Sequence, residues 1–228
     1  MKTLLIVSIF MLHALNLSAQ KIIDKSFEMP SSGKIDIDLK FADIIKISTW
    51  DKNTITFKAS IDLNNGLLND SLKHEFITGE ILTIRSEINK KFNNWMSKRN
   101  YDQDEDNIRF WSGNEGFIIS EITYELKVPQ KSLIKLNTIN ADVEIRDLSN
   151  SMEIKTINGF VDINWFEKKA ANFEMKTING EVYSDLDDLV FLNKKNNPIV
   201  GYNLKASFKE EASTEVKLKS INGNIYLR

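Results

Sequence analysis

The motif Ile154-Lys155-Thr156-Ile157-Asn158-Gly159 is one of four related copies in the C-terminal half of the chain, and this repetition indicates the architecture. The asparagines of successive copies are separated by 18, 21 and 43 residues. A period near twenty residues is typical of one solenoid coil, and the last interval leaves room for one degenerate copy. The copies lie at 136–140, 154–159, 175–180 and 218–223, and each precedes an apolar residue: Val143, Val161, Val182 or Ile225.

Within one copy, apolar and polar side chains alternate. Ile154 and Thr156 share one face, Lys155 and Asp162 face the other way, and Val161 resumes the alternation after the Asn-Gly pair. This period of two predicts a strand, a bend and a second strand. Asparagine and glycine suit the bend because both tolerate positive φ. The predicted structural repeat comprises Thr138, Asn140, Thr156, Asn158, Gly159, Thr177, Asn179, Gly180, Ser220, Asn222 and Gly223.

Two architectures fit this pattern. Asn-Gly between alternating strands is a strong hairpin signal, so an antiparallel β-meander or sandwich is one alternative. The other is a β-solenoid, in which identical side chains form ladders between stacked coils. Ala141 replaces glycine in the first copy, which disfavours a type I′ hairpin turn there. We therefore expect stacked coils, with Asn158 beside Asn179 about 4.8 Å apart.

The rest of the chain also has the periodicity of strands. Residues 34–39 and 54–61 alternate apolar and polar side chains, as half-buried strands do, and helix signals are few. We expect an all-β chain with one domain spanning residues 20–228. A polar, aromatic-containing insertion at about 89–114 interrupts the pattern, and insertions in repeat proteins usually form loops on one face.

The repeats resemble the "putative-adhesin" family of bacterial β-strand-repeat proteins, a domain of unknown function. The likeness rests on Lys-Thr-Ile-Asn-Gly followed by an alternating strand, and on residues 43–47 and 50–55. It covers most of residues 33–228 apart from the insertion. The resemblance implies a right-handed, single-chain β-solenoid in the bacterial envelope. It implies no catalytic residues, because the matching motifs are structural.

Residues 1–19 have the features of a secretory signal peptide. Lys2 precedes a mostly apolar run that ends at Ser18-Ala19, before Gln20. The run is short for a membrane span. The sequence contains no cysteine for lipoprotein acylation. We expect no C-terminal anchor after the last strand. We therefore expect a periplasmic or secreted protein without an integral membrane span after the signal peptide is removed.

The composition excludes several kinds of chemistry. Without cysteine, and with His74 as the single histidine beyond the signal peptide, classical zinc sites and Ser-His-Asp or Cys-His catalysis are excluded. No Walker or dinucleotide motif is present, and the net charge of −2 gives no reason to bind nucleic acid. The acidic run at 102–106 departs from a calcium loop at two required positions. We expect no cofactor and no metal.

Two groups of residues are candidates for a binding surface. Lys155, Lys176 and Lys219 occupy the same position in three copies, so stacked coils would place them in one outward row. Such a row could contact anionic glycans or lipid headgroups, although lysines also keep exposed strands from associating. Trp95 and Trp111, in the insertion, could stack on sugar rings or contact a partner.

The expected function is a non-enzymatic, adhesin-like or structural envelope module that presents a ladder surface to a protein or polysaccharide. One alternative is a carbohydrate-active enzyme that uses Asp185, Asp187 and Asp188, which cluster after the third copy. In that case two or three of these carboxylates would converge in one groove. The other alternative is a regulatory periplasmic module with no small ligand.

Overall fold

The computed structural model describes residues 20–89, 120–166, 168–193, 201–209 and 212–228. In these residues the protein is all-β, with two mixed sheets, neither of them closed. The predicted all-β class is therefore confirmed. The predicted signal peptide and residues 90–114 of the predicted insertion lie outside the described residues.

Sheet 1 contains eight strands in the order β1-β4-β7-β3-β9-β11-β17-β13. Their bounds are β1 Lys21–Glu28, β3 Ile44–Trp50, β4 Thr54–Leu63, β7 Ser120–Pro129, β9 Asp142–Arg146, β11 Val161–Ile163, β13 Val182–Ser184 and β17 Ile225–Leu227.

Sheet 2 contains nine strands in the order β14-β15-β12-β16-β10-β8-β2-β6-β5. Their bounds are β2 Lys34–Asp38, β5 Leu72–Ile77, β6 Ile81–Ile88, β8 Leu133–Asn137, β10 Met152–Lys155, β12 Ala171–Thr177, β14 Leu189–Phe191, β15 Tyr202–Phe208 and β16 Glu215–Lys219.

Five strand–bend–strand units connect the sheets, each giving one strand to sheet 2 and the next to sheet 1. In chain order they are unit 1 (β2, β3), unit 2 (β8, β9), unit 3 (β10, β11), unit 4 (β12, β13) and unit 5 (β16, β17). Neighbouring units pair in parallel in both sheets. β10 and β11 therefore lie in different sheets, and no hairpin forms across Asn158-Gly159. Two open sheets around a shared core still fit the sandwich alternative.

The units do not stack in chain order. Unit 5 lies between units 3 and 4, because β16 pairs with β10 and β12 while β17 pairs with β11 and β13. The expectation that Asn158 lies beside Asn179 is therefore wrong, since Asn222 separates them. The expected degenerate copy is also wrong: β14 and β15 pair antiparallel with each other, and β15 pairs antiparallel with β12.

Neighbouring units approach each other closely at the bends, and this explains why glycine recurs there. A Cβ added to Gly159 would lie 2.1 Å from the carbonyl oxygen of Ala141. At Gly223 it would lie 2.0 Å from that of Gly159, and at Gly180 2.2 Å from that of Gly223. The bend asparagines have negative φ, and among these three glycines Gly159 alone has positive φ, at 152°. The expectation that positive φ selects Asn-Gly is thus wrong for the asparagines and for Gly180 and Gly223.

The core follows from the alternation of side chains along the strands. In β10, for example, Met152 and Ile154 are buried, and the paired residues of the neighbouring strands are buried with them. The equivalent inward positions of sheet 1 include Val143, Val161 and Ile225. Burying one such aliphatic side chain contributes roughly 1.5–3 kcal/mol. One continuous hydrophobic cluster joins the two sheets.

Candidate binding surface

Three lysines stand side by side on the outer face of sheet 2. Lys155 pairs with Lys219, which pairs in turn with Lys176, so the order in space is 155, 219, 176. Strands in a sheet are about 4.8 Å apart, which brings the three ammonium groups within reach of a single extended ligand. We call Lys155, Lys219 and Lys176 the lysine row.

The neighbouring row on the same face differs because its charges alternate in sign. Crossing the sheet from β2 to β15, it comprises Asp36, Lys135, Glu153, Lys217, Glu174 and Lys205. Opposite charges on adjacent strands stabilise a sheet, whereas like charges side by side destabilise it. The lysine row therefore departs from the pattern that favours stability on this face.

The lysine row is only partly neutralised. Lys155 forms an ion pair with Glu153, with 2.5 Å between Nζ and Oε1. The hydrogen bond from Lys155 holds the pKa of Glu153 below its usual value, and the charges of Lys155, Lys219 and Lys135 add to the effect. Lys176 and Lys219 form no ion pair within the part of the chain that the structure describes.

Beside the lysine row, the bends expose a line of isoleucines. Ile157, Ile221 and Ile178 are each about 40% exposed and follow the same order as the lysines. This line was not among the predicted binding residues. The signal was present, because the alternation that places Thr156 inside directs Ile157 outward.

The repeated asparagines form a continuous ladder of side-chain hydrogen bonds. Asn158 donates to Asn140 at 2.8 Å, Asn222 donates to Asn158 at 2.7 Å, and Asn179 donates to Asn222 at 2.7 Å. The ladder is solvent-exposed, apart from half-buried Asn140. It fixes the register of the bends.

A second ladder lies inside the bends. Thr156 donates to the carbonyl oxygen of Ala141 at 3.2 Å, Ser220 to that of Gly159 at 3.0 Å, and Thr177 to that of Gly223 at 2.9 Å. All three hydroxyls belong to buried residues. Each one satisfies a carbonyl that stacking would otherwise leave without a partner.

The aspartates of the enzymatic alternative do not form a groove. Asp185, Asp187 and Asp188 are all exposed, in the turn between β13 and β14. No cluster of metal-ligating side chains occurs within the described residues. Three exposed carboxylates in a turn do not provide the enclosed groove that this alternative requires.

His74 is a half-buried residue with a hydrogen-bond partner. Its Nε2 lies 2.8 Å from the hydroxyl of Tyr124. Burial lowers the pKa of His74 to about 4 and raises that of the Tyr124 hydroxyl. The pair is therefore uncharged at neutral pH.

Sheet 1 holds a charged cluster that the sequence analysis did not identify. Asp162 is 7% exposed, although it lies on the outer face. Arg146 covers it, with 3.0 Å between Nη2 and Oδ2, and Arg228 approaches its Oδ1 at 3.5 Å. Tyr226 and Tyr183 stack beside this cluster with ring centroids 5.3 Å apart. The two guanidinium groups neutralise the charge of the buried carboxylate.

Trp95, Trp111 and the acidic run at 102–106 lie outside the described residues, so the aromatic part of the predicted surface has no location here. Across the described ranges, no helix is both long and apolar enough to cross a membrane.

The fold is similar to that of a solved structure described as a putative cell adhesion protein from Clostridium sporogenes. The TM-score is 0.53 at 10% identity, over 91% of this chain and 98% of that one. Structures described as putative adhesins from Parabacteroides distasonis and Bacteroides fragilis match with TM-scores of 0.27 and 0.24. Their identities are 10% and 12%, over 72% and 91% of this chain and 64% and 97% of theirs. No protein-family profile and no curated protein matches the chain.

Proposed function

We propose that the protein is a non-enzymatic binding module of the bacterial envelope, built as a β-solenoid. The parallel pairing of five units and the two ladders at their bends support the solenoid architecture. Such a stack holds repeated side chains at a fixed spacing, so it presents a regular surface without needing a pocket. The names of its structural neighbours are in keeping with a binding role.

The ligand that best fits the surface is an anionic polysaccharide, bound along the lysine row. The observation that carries this proposal is the register of Lys155, Lys219 and Lys176 as neighbours, beside a row in which charges alternate. Placing like charges side by side costs stability, and an anionic polymer would remove that cost. A sulfated or carboxylated polymer would also span several strands at once, which adds avidity.

The test compares two triple variants that remove the same charge from the same face. Replacing Lys155, Lys176 and Lys219 by glutamine should weaken binding to dextran sulfate at least about tenfold. Replacing Lys135, Lys205 and Lys217 by glutamine should change it by less than about threefold. Affinity is measured at low and moderate salt, with uncharged dextran as the neutral polymer. Equal losses in the two variants, or no binding of dextran sulfate by the parent protein, would contradict the proposal.

A protein partner is the second candidate, and the exposed line of Ile157, Ile221 and Ile178 favours it. Apolar side chains in a contiguous exposed line are typical of protein contacts. Replacing the three by serine distinguishes the candidates, since polysaccharide binding should survive this change whereas a protein contact should not.

The proposal includes export by the predicted signal peptide, so the module would lie in the periplasm or outside the cell. The mass of the chain recovered from the producing cells tests this location, because we expect it to begin at Gln20.

A further inference from the structure

The stack of units ends in a cleft between the edge strands β1 and β5. In sheet 1, Lys21, Ile23 and Lys25 pair with Ile61, Ala59 and Phe57, which are buried core residues. Directly paired residues share a face of the sheet, so the two lysines and Ile23 lie on the inner face. In sheet 2, Leu72, His74 and Phe76 pair with Ile88, Ser86 and Ile84 and share that strand's inner face. Two lysines thus face the same space as the core.

The space between these faces has a volume of about 810 Å³. The rings of Phe27 and Phe76, 5.3 Å apart, bring the two strands together at one end of it. Ile23 and Phe76 form the apolar part of its walls, and Leu67 stands at the mouth with 76% of its surface exposed. Charged and polar side chains make up the rest of the lining. Small-molecule sites have this size range and combine apolar walls with placed polar groups.

The charge of the cleft is positive at its rim and neutral at its floor. Lys21 is held by Asp70, with 2.7 Å between Nζ and Oδ1. Lys25 and Lys73, which also line the cleft, form no ion pair within the described residues. At the floor, His74 forms its hydrogen bond with Tyr124, and its lowered pKa keeps it uncharged at neutral pH.

Inward lysines on an edge strand also prevent that edge from pairing with another sheet. That role requires neither a cleft nor apolar walls. Here both are present beside a lysine that lacks an anionic partner among the described residues. Apolar walls with a cationic rim are complementary to an acyl chain that carries a carboxylate.

We propose that this end cleft binds a free long-chain fatty-acid anion. The acyl chain lies between β1 and β5 against Ile23 and Phe76, and the carboxylate accepts hydrogen bonds from the ammonium groups of Lys25 and Lys21. This site lies at the end of the stack, away from the lysine row, and is independent of the polysaccharide proposal.

The test measures oleate binding to the full chain below the critical micelle concentration, by calorimetry. Lys25→Gln should weaken oleate binding about tenfold or more. Lys58→Gln, on the outer face of the adjoining strand β4, is the matched control and should leave affinity within about twofold. Ile23→Glu, which places a second carboxylate in the cleft, should abolish binding. Thermal melts establish that each variant is folded.

Ligand variants separate the two parts of the site. Oleyl alcohol carries the same chain without charge, and acetate carries the charge without the chain, so both should bind at least about tenfold more weakly than oleate. Equal affinity of the Lys25 and Lys58 variants for oleate would overturn the proposal. So would equal binding of the alcohol, or no saturable oleate binding. Association with phosphatidylglycerol vesicles in place of free oleate would overturn it as well, by assigning the cleft to a membrane surface.

Discussion

Gly159, Gly180 and Gly223 lie where the bend of one unit touches the backbone of the next. The sequence predicted a bend at each site, because Asn-Gly interrupts an alternating pattern. It did not reveal why glycine is needed there. The reason is the distance to a neighbouring carbonyl, and that distance depends on which unit is the neighbour.

Gly223→Ala should therefore destabilise the protein strongly. Its Cβ would lie 2.0 Å from the carbonyl oxygen of Gly159, and neither backbone can move without disturbing both ladders. We expect a loss of about 2–3 kcal/mol in the free energy of unfolding, measured by urea denaturation. Gly79→Ala is the control, because no atom lies within 4 Å of its added Cβ, and we expect a change below about 0.5 kcal/mol. Similar losses in the two variants would contradict the close approach.

His74 should make the stability of the protein depend on pH. The pKa of its imidazole is about 4 in the folded protein, against 6.5 for an unperturbed histidine. Between these values the unfolded chain binds more protons, so the free energy of unfolding falls as the pH drops from 6.5 to 4. The contribution is on the order of 3 kcal/mol at most.

His74→Gln tests this contribution, because glutamine does not titrate and its amide can still form a hydrogen bond with Tyr124. Melting temperatures measured from pH 7 to pH 4 should fall less steeply in the variant than in the parent protein. Parallel curves for the two proteins would show that protonation of His74 is not coupled to folding.

At the scale of the elements, the sequence predicted the strands better than their order. Alternation along residues 154–163 places Thr156 inside and Lys155 outside, and the structure has the same arrangement. The order of the units depends instead on which units pack side by side, and their inner faces are alike. Val143, Val161, Val182 and Ile225 are equivalent apolar side chains, so no local pattern says which unit adjoins which.

The interval of 43 residues between Asn179 and Asn222 is where the sequence was misleading. It is long enough for one more copy, but it holds β14 and β15, which extend sheet 2 beyond β12. The chain then passes to the opposite edge of β12 and forms β16. A long interval between copies can therefore contain strands, here β14 and β15, that do not belong to the stacked units. The next unit, here unit 5, can then insert between two earlier units.

The candidate surfaces were predictable to different degrees. The lysine row follows from the same position in three copies, and parallel pairing brings those positions together. The order of its lysines, 155, 219 and 176, required the structure. The end cleft could not be predicted, because Lys21 and Lys25 acquire their inward direction only when β1 pairs antiparallel with β4.

At the scale of the whole molecule, the two ends of the stack are protected differently. β1 carries inward lysines at one end. At the other end, β13 and β14 are edge strands of three residues each. Inward lysines and short edge strands both disfavour pairing of the sheet edge with a strand of another molecule.

Unit 5 lies between units 3 and 4, and nuclear Overhauser contacts between backbone protons test this order. Lys219 should show contacts across parallel strands with both Lys155 and Lys176, and no contact should join Lys155 to Lys176. Contacts between Lys155 and Lys176 would contradict this order, and antiparallel contacts across Asn158-Gly159 would contradict the stacking of units altogether.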